Sequence, residues 1–394
     1  MSLLNQLQDE GVWDTFYAYK KEKSHLTKKE DKQLHEFIQS RAYMPVVEKI
    51  INGQSLSTPI KKTVNKIGTD KKRTVYCFST DETYVLKVIA FLLYEYDDYF
   101  SPNCFSFRKN FGVRRAIRNL LTEINGRELY CYKLDIKNYF NSVDVNLLLP
   151  ILKKLFINDT KLYTFFESIL TITNEQSGVM AGTPTSPFLS NVFLTEMDRH
   201  FATRGIPYAR YSDDIIVFAE SMDEINKHRK YMNDYLSQMN LEINTSKEQI
   251  ITPNEPWAFL GIEHRDGEID LSPITIEKIK GKIRRKARAI IRWKNKRGAP
   301  DEKALKVMLR VFNKKFFEDA GNGELTWSRW FFPLLTVDTG LHTVDNYLQD
   351  YLRYVVTEKH NKKNYDRVPY EMLKSMGYKS LVNAFHSNNT IKTN

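Results

Sequence analysis

Adjacent carboxylates, Asp213 and Asp214, lie in the stretch YARYSDDIIVFA at 208–219, between two runs that are both typical of buried β-strands. Like charges this close repel each other, and each carboxylate resists removal from water unless a positive group compensates it. A third candidate, Asp135, ends an apolar run in LDIKNYFNSVD at 134–144. These three side chains are the residues whose types and positions could do chemistry.

Each carboxylate also has an ordinary structural explanation. Asp213 fits a turn in which an aspartate side chain accepts hydrogen bonds from nearby backbone N–H groups. Asp135 fits a strand with a solvated edge, where alternation points Asp135, Lys137 and Tyr139 to one side. The chemical alternative is that neighbouring strands bring the three carboxylates together. They would then form an oxygen-rich site for two Mg²⁺ ions, which could activate a 3′-hydroxyl and stabilise a phosphoryl transfer.

The predicted elements could position such a site. Residues 207–219 predict a β-hairpin, and ELYCYKLDIKNYF predicts a strand leading to Asp135. Between them, Gly182 and Pro184 predict a loop whose backbone can approach a ligand, followed by an apolar helix from Ser190 or Asn191. The runs RTVYCF and TYVLKVIAFLLY predict two strands around an Asp-Glu turn, and residues 249–263 predict a further strand pair.

Composition restricts the class of protein. The chain has 394 residues, of which 42% are hydrophobic and 13% aromatic, so it is expected to be globular. It has no apolar run long enough to span a membrane and no secretion signal at its start. The three cysteines, Cys77, Cys104 and Cys131, have no metal-ligand spacing, so we expect reduced thiols in a cytoplasmic protein. The net charge of +11 favours a polyanionic partner.

Taken together, the motifs resemble those of the reverse transcriptase palm, in the order of that family. They are LDIKNYF, AGTPTSPFLSN, YSDD, NLEINTSKEQI and WAFLG. The resemblance covers about residues 60–265. FSFRKN at 105–110 and the tail LRYV…YEMLKSMGYKSLVNAF resemble the group II intron-like bacterial enzymes. The tail specifically resembles the C-terminal part of the "unknown group" and abortive-infection enzymes, which are defence-associated reverse transcriptases.

The resemblance implies an α+β fold with a right-hand polymerase arrangement. Its expected parts are an N-terminal helical extension at 1–65, fingers and palm at 66–265, and an α-helical thumb and C-terminal region at 266–394. It also implies roles for particular residues. The expected metal ligands are Asp135, Asp213 and Asp214, and Lys247 is expected to protonate the pyrophosphate leaving group. Contacts with the incoming nucleotide are expected from Lys72, Arg73, Arg108, Gly182, Pro184 and Phe140, the last as the steric gate that excludes a ribose 2′-hydroxyl. Trp257 to Gly261 match the primer-grip hairpin, and Tyr139 is expected in the core.

The sequence departs from the family pattern before Gly182. Most group II intron-like enzymes have a Pro-Gln pair there, and the glutamine touches the nucleotide and template, whereas this chain has Met180 and Ala181. This loosened loop favours the defence-associated groups and puts ordinary fidelity in doubt. We find no ribonuclease H, endonuclease or integrase signature, and no VTG triplet of the kind that retron enzymes carry in the thumb.

A basic amphipathic helix is predicted at 276–298. Its apolar stripe comprises Ile276, Ile279, Ile283, Ala287 and Ile290, and its other faces carry cations that include Lys282, Arg285 and Arg288. In a polymerase thumb these cations would hold the template–product duplex by its phosphates. A solvated amphipathic helix is the simpler alternative.

The sequence therefore predicts an RNA-directed DNA polymerase that makes cDNA from dNTPs on a noncoding RNA template and acts in bacterial antiphage defence. The expected cofactor is Mg²⁺, with Mn²⁺ as a substitute. A homo-oligomer or a partner defence protein fits the group, and no membrane partner is expected. One alternative is template-independent or protein-primed DNA synthesis in abortive infection. An alternative from another class is a non-catalytic RNA-binding scaffold.

Overall fold

The computed structural model describes residues 2–23, 26–65, 72–173, 175–318 and 326–390. The chain divides into two compact units, Met1–Glu255 and Pro256–Asn394. This division falls before the predicted boundary at 265/266, and the other predicted boundary, 65/66, adjoins residues 66–71, which lie outside the described ones. The three-part division stays a prediction.

The first unit contains six strands and eleven α-helices among its described residues. The strands are β1 (Ile60–Asn65), β2 (Lys72–Cys77), β3 (Tyr130–Asp135), β4 (Tyr208–Tyr211), β5 (Asp214–Ala219) and β6 (Gln249–Ile251). The helices are α1 (Glu10–Lys23), α2 (Lys28–Gln39), α3 (Met44–Ile51), α4 (Thr80–Leu92), α5 (Val113–Ile124), α6 (Tyr139–Ser142), α7 (Val145–Leu155), α8 (Thr160–Thr171), α9 (Ser186–Phe193), α10 (Thr195–Ala202) and α11 (Met222–Gln238).

A four-stranded antiparallel sheet in the order β4-β5-β3-β6 forms the centre of this unit. In β5 the run from Ile215 to Ala219 is fully buried, as expected of apolar and β-branched residues in the middle of a sheet. Helices α5, α10 and α11 pack on the sheet strands. A separate antiparallel hairpin, β1–β2, has an entirely exposed first strand.

The predicted strand in TYVLKVIAFLLY is wrong, because Thr83 to Leu92 belong to α4 and the last two residues, Leu93 and Tyr94, begin a 3₁₀ helix. The helix begins at a capping box in which Ser79 and Glu82 each accept from the other's backbone N–H, so the predicted Asp-Glu turn is its first turn. An apolar run of this length fits a buried helix better than a strand. Likewise, the helix after the Gly182 loop begins at Ser186 rather than at Ser190 or Asn191.

The predicted strand pair at 249–263 is also wrong in its pairing. Strand β6 is paired with β3 at the edge of the central sheet, whereas the residues from Trp257 onward start a different sheet in the second unit. Local alternation identified the strands here, but their partners are set by contacts that are distant in sequence.

The second unit combines a three-stranded antiparallel sheet with helices. Its strands are β7 (Trp257–Phe259), β8 (Ile262–Arg265) and β9 (Glu268–Leu271). Its helices are α12 (Pro273–Arg297), α13 (Asp301–Phe317), α14 (Trp327–Phe331), α15 (Thr339–Thr357), α16 (Asn364–Arg367), α17 (Tyr370–Ser375) and α18 (Leu381–Thr390). Helix α12 packs against α13 and α15 and buries four members of its predicted stripe, Ile279, Ile283, Ala287 and Ile290, while the fifth, Ile276, is half-buried.

The α+β class and the helical C-terminal region are confirmed. Cys104 and Cys131 are buried free thiols and Cys77 is a half-buried one. Within the described ranges, no helix is both long enough and apolar enough to cross a membrane.

Candidate active site

The three predicted carboxylates lie at one end of the central sheet. Strand β3 ends at Asp135 and β5 begins at Asp214, and these two residues face each other directly in the antiparallel register. Side chains opposed in this way share one face of a sheet and lie close together. Asp213 occupies the two-residue turn between β4 and β5, and its carbonyl oxygen accepts from the N–H of Ile136 at 3.1 Å. The sequence prediction that strands would bring the carboxylates together agrees with this arrangement.

Burial and mutual repulsion raise the pKa values of two of the three carboxylates, Asp213 and Asp214. Burial raises the pKa of Asp213 above its ordinary value, and the charge of Asp135 adds to the increase. Burial likewise raises the pKa of Asp214, with a further contribution from the charge of Asp213. Both carboxylates are therefore less readily ionised than free aspartates, and a cation between them would relieve the repulsion.

Lys247 lies against this cluster. It ends a 3₁₀ turn at Thr245–Lys247, and its Nζ donates to both oxygens of Asp135, at 2.8 and 2.5 Å. Burial would lower the pKa of Lys247, but the hydrogen bond and charge of Asp135, with the charges of Asp214 and Asp213, raise it overall. The lysine is thus held protonated beside the carboxylates.

This pairing bears on the predicted metal site. Among the described residues, no group of three or more His, Cys, Asp or Glu side chains is arranged ready to hold a metal ion. Both oxygens of Asp135 accept hydrogen bonds from Lys247, so a metal ion would compete with the lysine for this carboxylate. The donor set still fits a hard divalent cation, because it supplies carboxylate oxygens on adjacent strands.

A buried ion pair lies next to the turn that carries Asp213. Arg210 on β4 is fully buried, and its guanidinium donates to both oxygens of Asp198 on α10, at 2.8 and 2.6 Å. The hydroxyl of Tyr208 donates to Asp198 at 2.8 Å, so the carboxylate is also bonded from the strand. This pair was not predicted from the sequence, although an arginine inside an otherwise apolar strand signals a buried acidic partner.

A second set of bonds fixes the turn itself. Ser212 has a left-handed backbone with φ of +63°, and its N–H donates to Oγ of Ser106 at 2.9 Å. The Ser106 hydroxyl in turn donates to Oδ1 of Asn191 at 3.2 Å, while the Asn191 amide donates to the Ser106 carbonyl at 2.7 Å. The segments FSFRKN and AGTPTSPFLSN therefore both hold the YSDD turn in place.

The predicted steric gate, Phe140, follows β3 closely. The strand ends at Asp135, and Asn138, with φ of +50°, starts the short helix α6, so the predicted alternation through Lys137 and Tyr139 does not continue. Tyr139 is buried, as predicted, and its hydroxyl donates to the Ser190 carbonyl at 2.5 Å. Phe140 is half-buried, so part of its ring remains accessible.

Two hydrogen bonds connect the β1–β2 hairpin to these elements. The side-chain amide of Asn141 donates to the Thr74 carbonyl at 3.3 Å, and the N–H of Tyr76 donates to the Ala181 carbonyl at 2.8 Å. Lys72 and Arg73 are exposed on the same strand of the hairpin. The β1–β2 hairpin, which carries Lys72 and Arg73, is therefore hydrogen-bonded both to helix α6, which carries Phe140, and to the Gly182 loop.

The Gly182 loop is conformationally restricted. Met180 has φ of +54° and Gly182 has φ of +99°, and a Cβ on Gly182 would lie 3.1 Å from Cβ of Val75. Gly182 and Pro184 line a cavity of about 410 Å³ together with residues of α1 and α4. Ala181 is buried, so its side chain does not replace the glutamine that the family pattern places there.

Arg108 does not face this cavity as a free cation. Its guanidinium donates to Asp97 Oδ1 and to the carbonyls of Asp97, Ser101 and Cys104, and it stacks on the Phe111 ring at 3.7 Å. With most of its donors used and the side chain buried, the geometry favours a structural role over the predicted nucleotide contact.

The remaining predicted residues lie in the second unit. Trp257 is only 6% exposed and stacks on His264 at 5.0 Å, so its ring offers little surface for the predicted nucleic-acid contact. On α12, Arg285 and Arg288 are exposed and Lys282 is half-buried. Their charges stand on faces that the buried stripe leaves free.

Comparison with known proteins gives one family match and several relatives. The family model described as reverse transcriptase (RNA-dependent DNA polymerase) matches residues 60–264. The chain is 26% identical over 228 residues to the retron Ec86 reverse transcriptase of Escherichia coli, covering 56% of this chain and 68% of that enzyme. It is 29% identical over 130 residues to the retron Ec83 reverse transcriptase of the same organism, covering 29% of this chain and 40% of that enzyme.

Among solved structures, telomerase from Candida albicans in complex with a fragment of telomeric RNA matches with 11% identity and a TM-score of 0.45, covering 86% of this chain and 68% of that one. Apo telomerase from Candida tropicalis matches with 11% identity and the same TM-score of 0.45, covering 82% of this chain and 69% of that one.

Proposed function

This chain belongs to the reverse transcriptase family of RNA-dependent DNA polymerases, and on that premise we propose that it extends DNA from dNTPs on a noncoding RNA template by two-metal phosphoryl transfer. The observation that carries the proposal is the direct pairing of Asp135 with Asp214 across β3 and β5, with Asp213 in the adjoining turn. Carboxylates are crowded in this way where divalent cations and phosphates are handled.

Asp135, Asp213 and Asp214 would hold the metal ions. When bound, two Mg²⁺ ions would supply activation of the 3′-hydroxyl and neutralisation of charge on the triphosphate. For this, Asp135 must exchange its bonds with Lys247 for other partners, which frees the lysine. A lysine carries its proton at neutral pH, so Lys247, once released by Asp135, is suited to act as a general acid next to a departing pyrophosphate.

The elements around the carboxylates account for binding of the nucleotide. Arg73 and Lys72, which are exposed on β2, would contact the triphosphate. The guanidinium of Arg73 can bind a phosphate through two hydrogen bonds, whereas the ammonium of Lys72 acts as a single point charge. Phe140 would stand against the sugar and exclude a 2′-hydroxyl. The Gly182 loop would line the nucleotide and template, because a glycine without a side chain permits close approach of the backbone.

The polymerase proposal is tested with purified protein, Mg²⁺, a primed RNA template and dNTPs. We expect DNA synthesis by the unaltered chain and its loss in Asp135→Ala and Asp213→Ala, by on the order of a thousandfold or more. Circular dichroism should match the unaltered protein, so that loss of activity cannot come from unfolding. Normal incorporation by either variant would overturn the carboxylate assignment.

We further propose that the DNA product serves bacterial antiphage defence. Support comes from the resemblance of the C-terminal tail to defence-associated reverse transcriptases, and from similarity to two retron enzymes despite the missing VTG triplet. Phage plating on cells that carry the unaltered gene or its Asp213→Ala variant tests this. Protection that survives the substitution would instead favour a non-catalytic RNA-binding scaffold.

Ala181 gives a specific reason to retain template-independent synthesis as a second candidate. Its side chain is buried and its carbonyl accepts from the N–H of Tyr76, so the template contact that the family pattern assigns to a glutamine has no counterpart in this residue. Sequencing the RNA and DNA that copurify with the protein separates the two candidates. A product complementary to one RNA supports templated synthesis, whereas a product of unrelated or random sequence supports the alternative, with covalently attached protein indicating protein priming.

A further inference from the structure

Phe107, in FSFRKN, combines two unfavourable features. Its side chain is 45% exposed, which makes it one of the large exposed apolar residues of the described chain. Its backbone has φ of +57°, in the left-handed region that bulky residues avoid. Such a conformation persists only where the surrounding structure imposes it, and it occurs most often at functional sites.

The residues on either side of Phe107 impose that conformation. Ser106 is buried and bonded to Ser212 in the catalytic turn and to Asn191 on α9. Arg108 is buried and bonded to Asp97 and to the carbonyls of Ser101 and Cys104. With both neighbours fixed inward, the chain between them must bulge, and the Phe107 ring is directed outward.

The outward ring contacts two aromatic rings of the candidate site. Its centroid lies 6.0 Å from that of Phe140 with an interplanar angle of 79°, an edge-to-face contact. It lies 6.5 Å from the ring of Tyr211, which precedes the catalytic turn. Phe107 also lines the cavity that Gly182 and Pro184 line, so it borders the region assigned to the incoming nucleotide.

We propose that Phe107 is a positioning residue for the steric gate and thereby determines discrimination between deoxyribo- and ribonucleotides. On its inner side, Phe140 packs against Tyr139, which is itself buried and hydrogen-bonded. On its outer side, Phe107 supplies the edge-to-face contact. A gate that excludes one hydroxyl group works only if its ring cannot rotate away, and the paired rings restrict that rotation. This inference rests on the proposed polymerase function and on Phe140 as the gate.

The experiment measures kcat and KM for single incorporation of a deoxynucleotide and of the matching ribonucleotide on one primed template. In Phe107→Ala we expect the ratio of the two kcat/KM values to fall by about two- to tenfold, mainly through a lower KM for the ribonucleotide, as the loss of one aromatic contact predicts. Phe107→Tyr, which keeps the ring, should restore the ratio. Ile157→Ala, which truncates an exposed apolar side chain elsewhere in the same unit, is the matched control and should leave the ratio unchanged.

A double-mutant cycle separates positioning from direct contact. If Phe107 acts through the gate, Phe107→Ala adds nothing to the ratio in a Phe140→Ala background. The inference is overturned if the ratio is unchanged in Phe107→Ala, if the two effects add, or if KM rises equally for both nucleotides, which would indicate stacking on the base. Failure of Phe140→Ala to admit ribonucleotides would overturn it by removing the gate. Absence of any DNA synthesis by the unaltered protein would instead count against the proposed function.

Discussion

Asp213 and Asp214 lower the stability of the folded protein at neutral pH when no metal ion is bound. Burial and neighbouring carboxylates raise the pKa of both, so the folded chain binds these protons more tightly than the unfolded chain does. A raised carboxyl pKa contributes stability that is present below the unfolded pKa and is lost as the pH rises through the folded pKa. The site is therefore strained by its own charge at neutral pH when no cation compensates it.

Asp213→Asn should consequently stabilise the protein in the presence of a chelator. We expect the variant to unfold at a higher temperature than the unaltered chain near neutral pH, and we expect the difference to vanish as the pH falls towards 3.8, the ordinary pKa of the side chain. Thermal unfolding followed across this range measures the effect. Asp234→Asn removes an exposed carboxylate on α11 and should have little effect. A variant that unfolds at a lower temperature near neutral pH would contradict the argument.

Loss of either partner of the Asp198–Arg210 pair should destabilise the protein, because both side chains are fully buried. Asp198→Ala leaves the Arg210 guanidinium buried without its counter-charge, and we expect a loss of about 3–5 kcal/mol in the free energy of unfolding. Chemical denaturation measures this loss. Glu196→Ala breaks the exposed pair with Arg199 on the same helix and should cost less than about 1 kcal/mol. Equal losses in the two variants would show that the buried pair is not the support of β4.

Among the elements, those specified by local pattern were the ones that the sequence predicted. The β4–β5 hairpin and strand β3 follow from apolar runs within each segment, and helix α12 follows from the helical spacing of its apolar stripe. Helix α4 was missed because a continuous apolar run has no period, and the Ser79–Glu82 capping box was the signal that could have identified it.

Contacts between distant segments were not predictable in this way. The pairing of β6 with β3, the bonds from Ser106 to Ser212 and Asn191, and the inward direction of Arg108 all depend on tertiary packing. The family motifs identified which residues stand at the site, but they did not indicate which way each side chain points. This is why the three carboxylates were predicted together while Arg108 and Trp257 were assigned contacts that their burial disfavours.

The junction between the β1–β2 hairpin and the Gly182 loop provides a prediction about elements. In Gly182→Ala the new Cβ would lie 3.1 Å from Val75, and Gly182 also has a left-handed φ of +99°. Gly205→Ala is the matched control, since Gly205 has φ of +62° but no atom within 4 Å of the new Cβ. Both variants should lose about 1 kcal/mol in the free energy of unfolding from backbone strain.

Only Gly182→Ala should also displace the hairpin, and we therefore expect it to raise KM for dNTPs, whereas Gly205→Ala leaves KM unchanged. Steady-state incorporation with each variant measures this. Adding Val75→Gly to Gly182→Ala removes the Cβ atom that the new side chain would crowd, and KM for dNTPs should recover in part. If Gly182→Ala and Gly205→Ala have the same KM, the contact between loop and hairpin does not control nucleotide binding.

For the molecule as a whole, the excess of positive charge matters most for a nucleic-acid partner. The net charge of +11 is spread over the chain, but α12 concentrates cations on the faces left free by its buried stripe. Arg285 and Arg288 are exposed there, so their guanidinium groups are accessible to the phosphates of a bound nucleic acid. Their expected contribution is therefore to affinity for phosphates rather than to choice of sequence.

Arg285→Gln and Arg288→Gln should each weaken binding of a primed RNA template equally for templates of different sequence. Each substitution removes one phosphate contact, so binding of the template releases fewer counterions. The slope of log affinity against log salt concentration should therefore become shallower by about 0.7–0.9 per substitution. Fluorescence anisotropy over a salt series measures the slope. Lys303→Gln removes one exposed positive charge from α13 and serves as the control for net charge alone. If all three variants change the slope equally, or if none does, the charged faces of α12 are solvated and do not contact the phosphates of the template–product duplex.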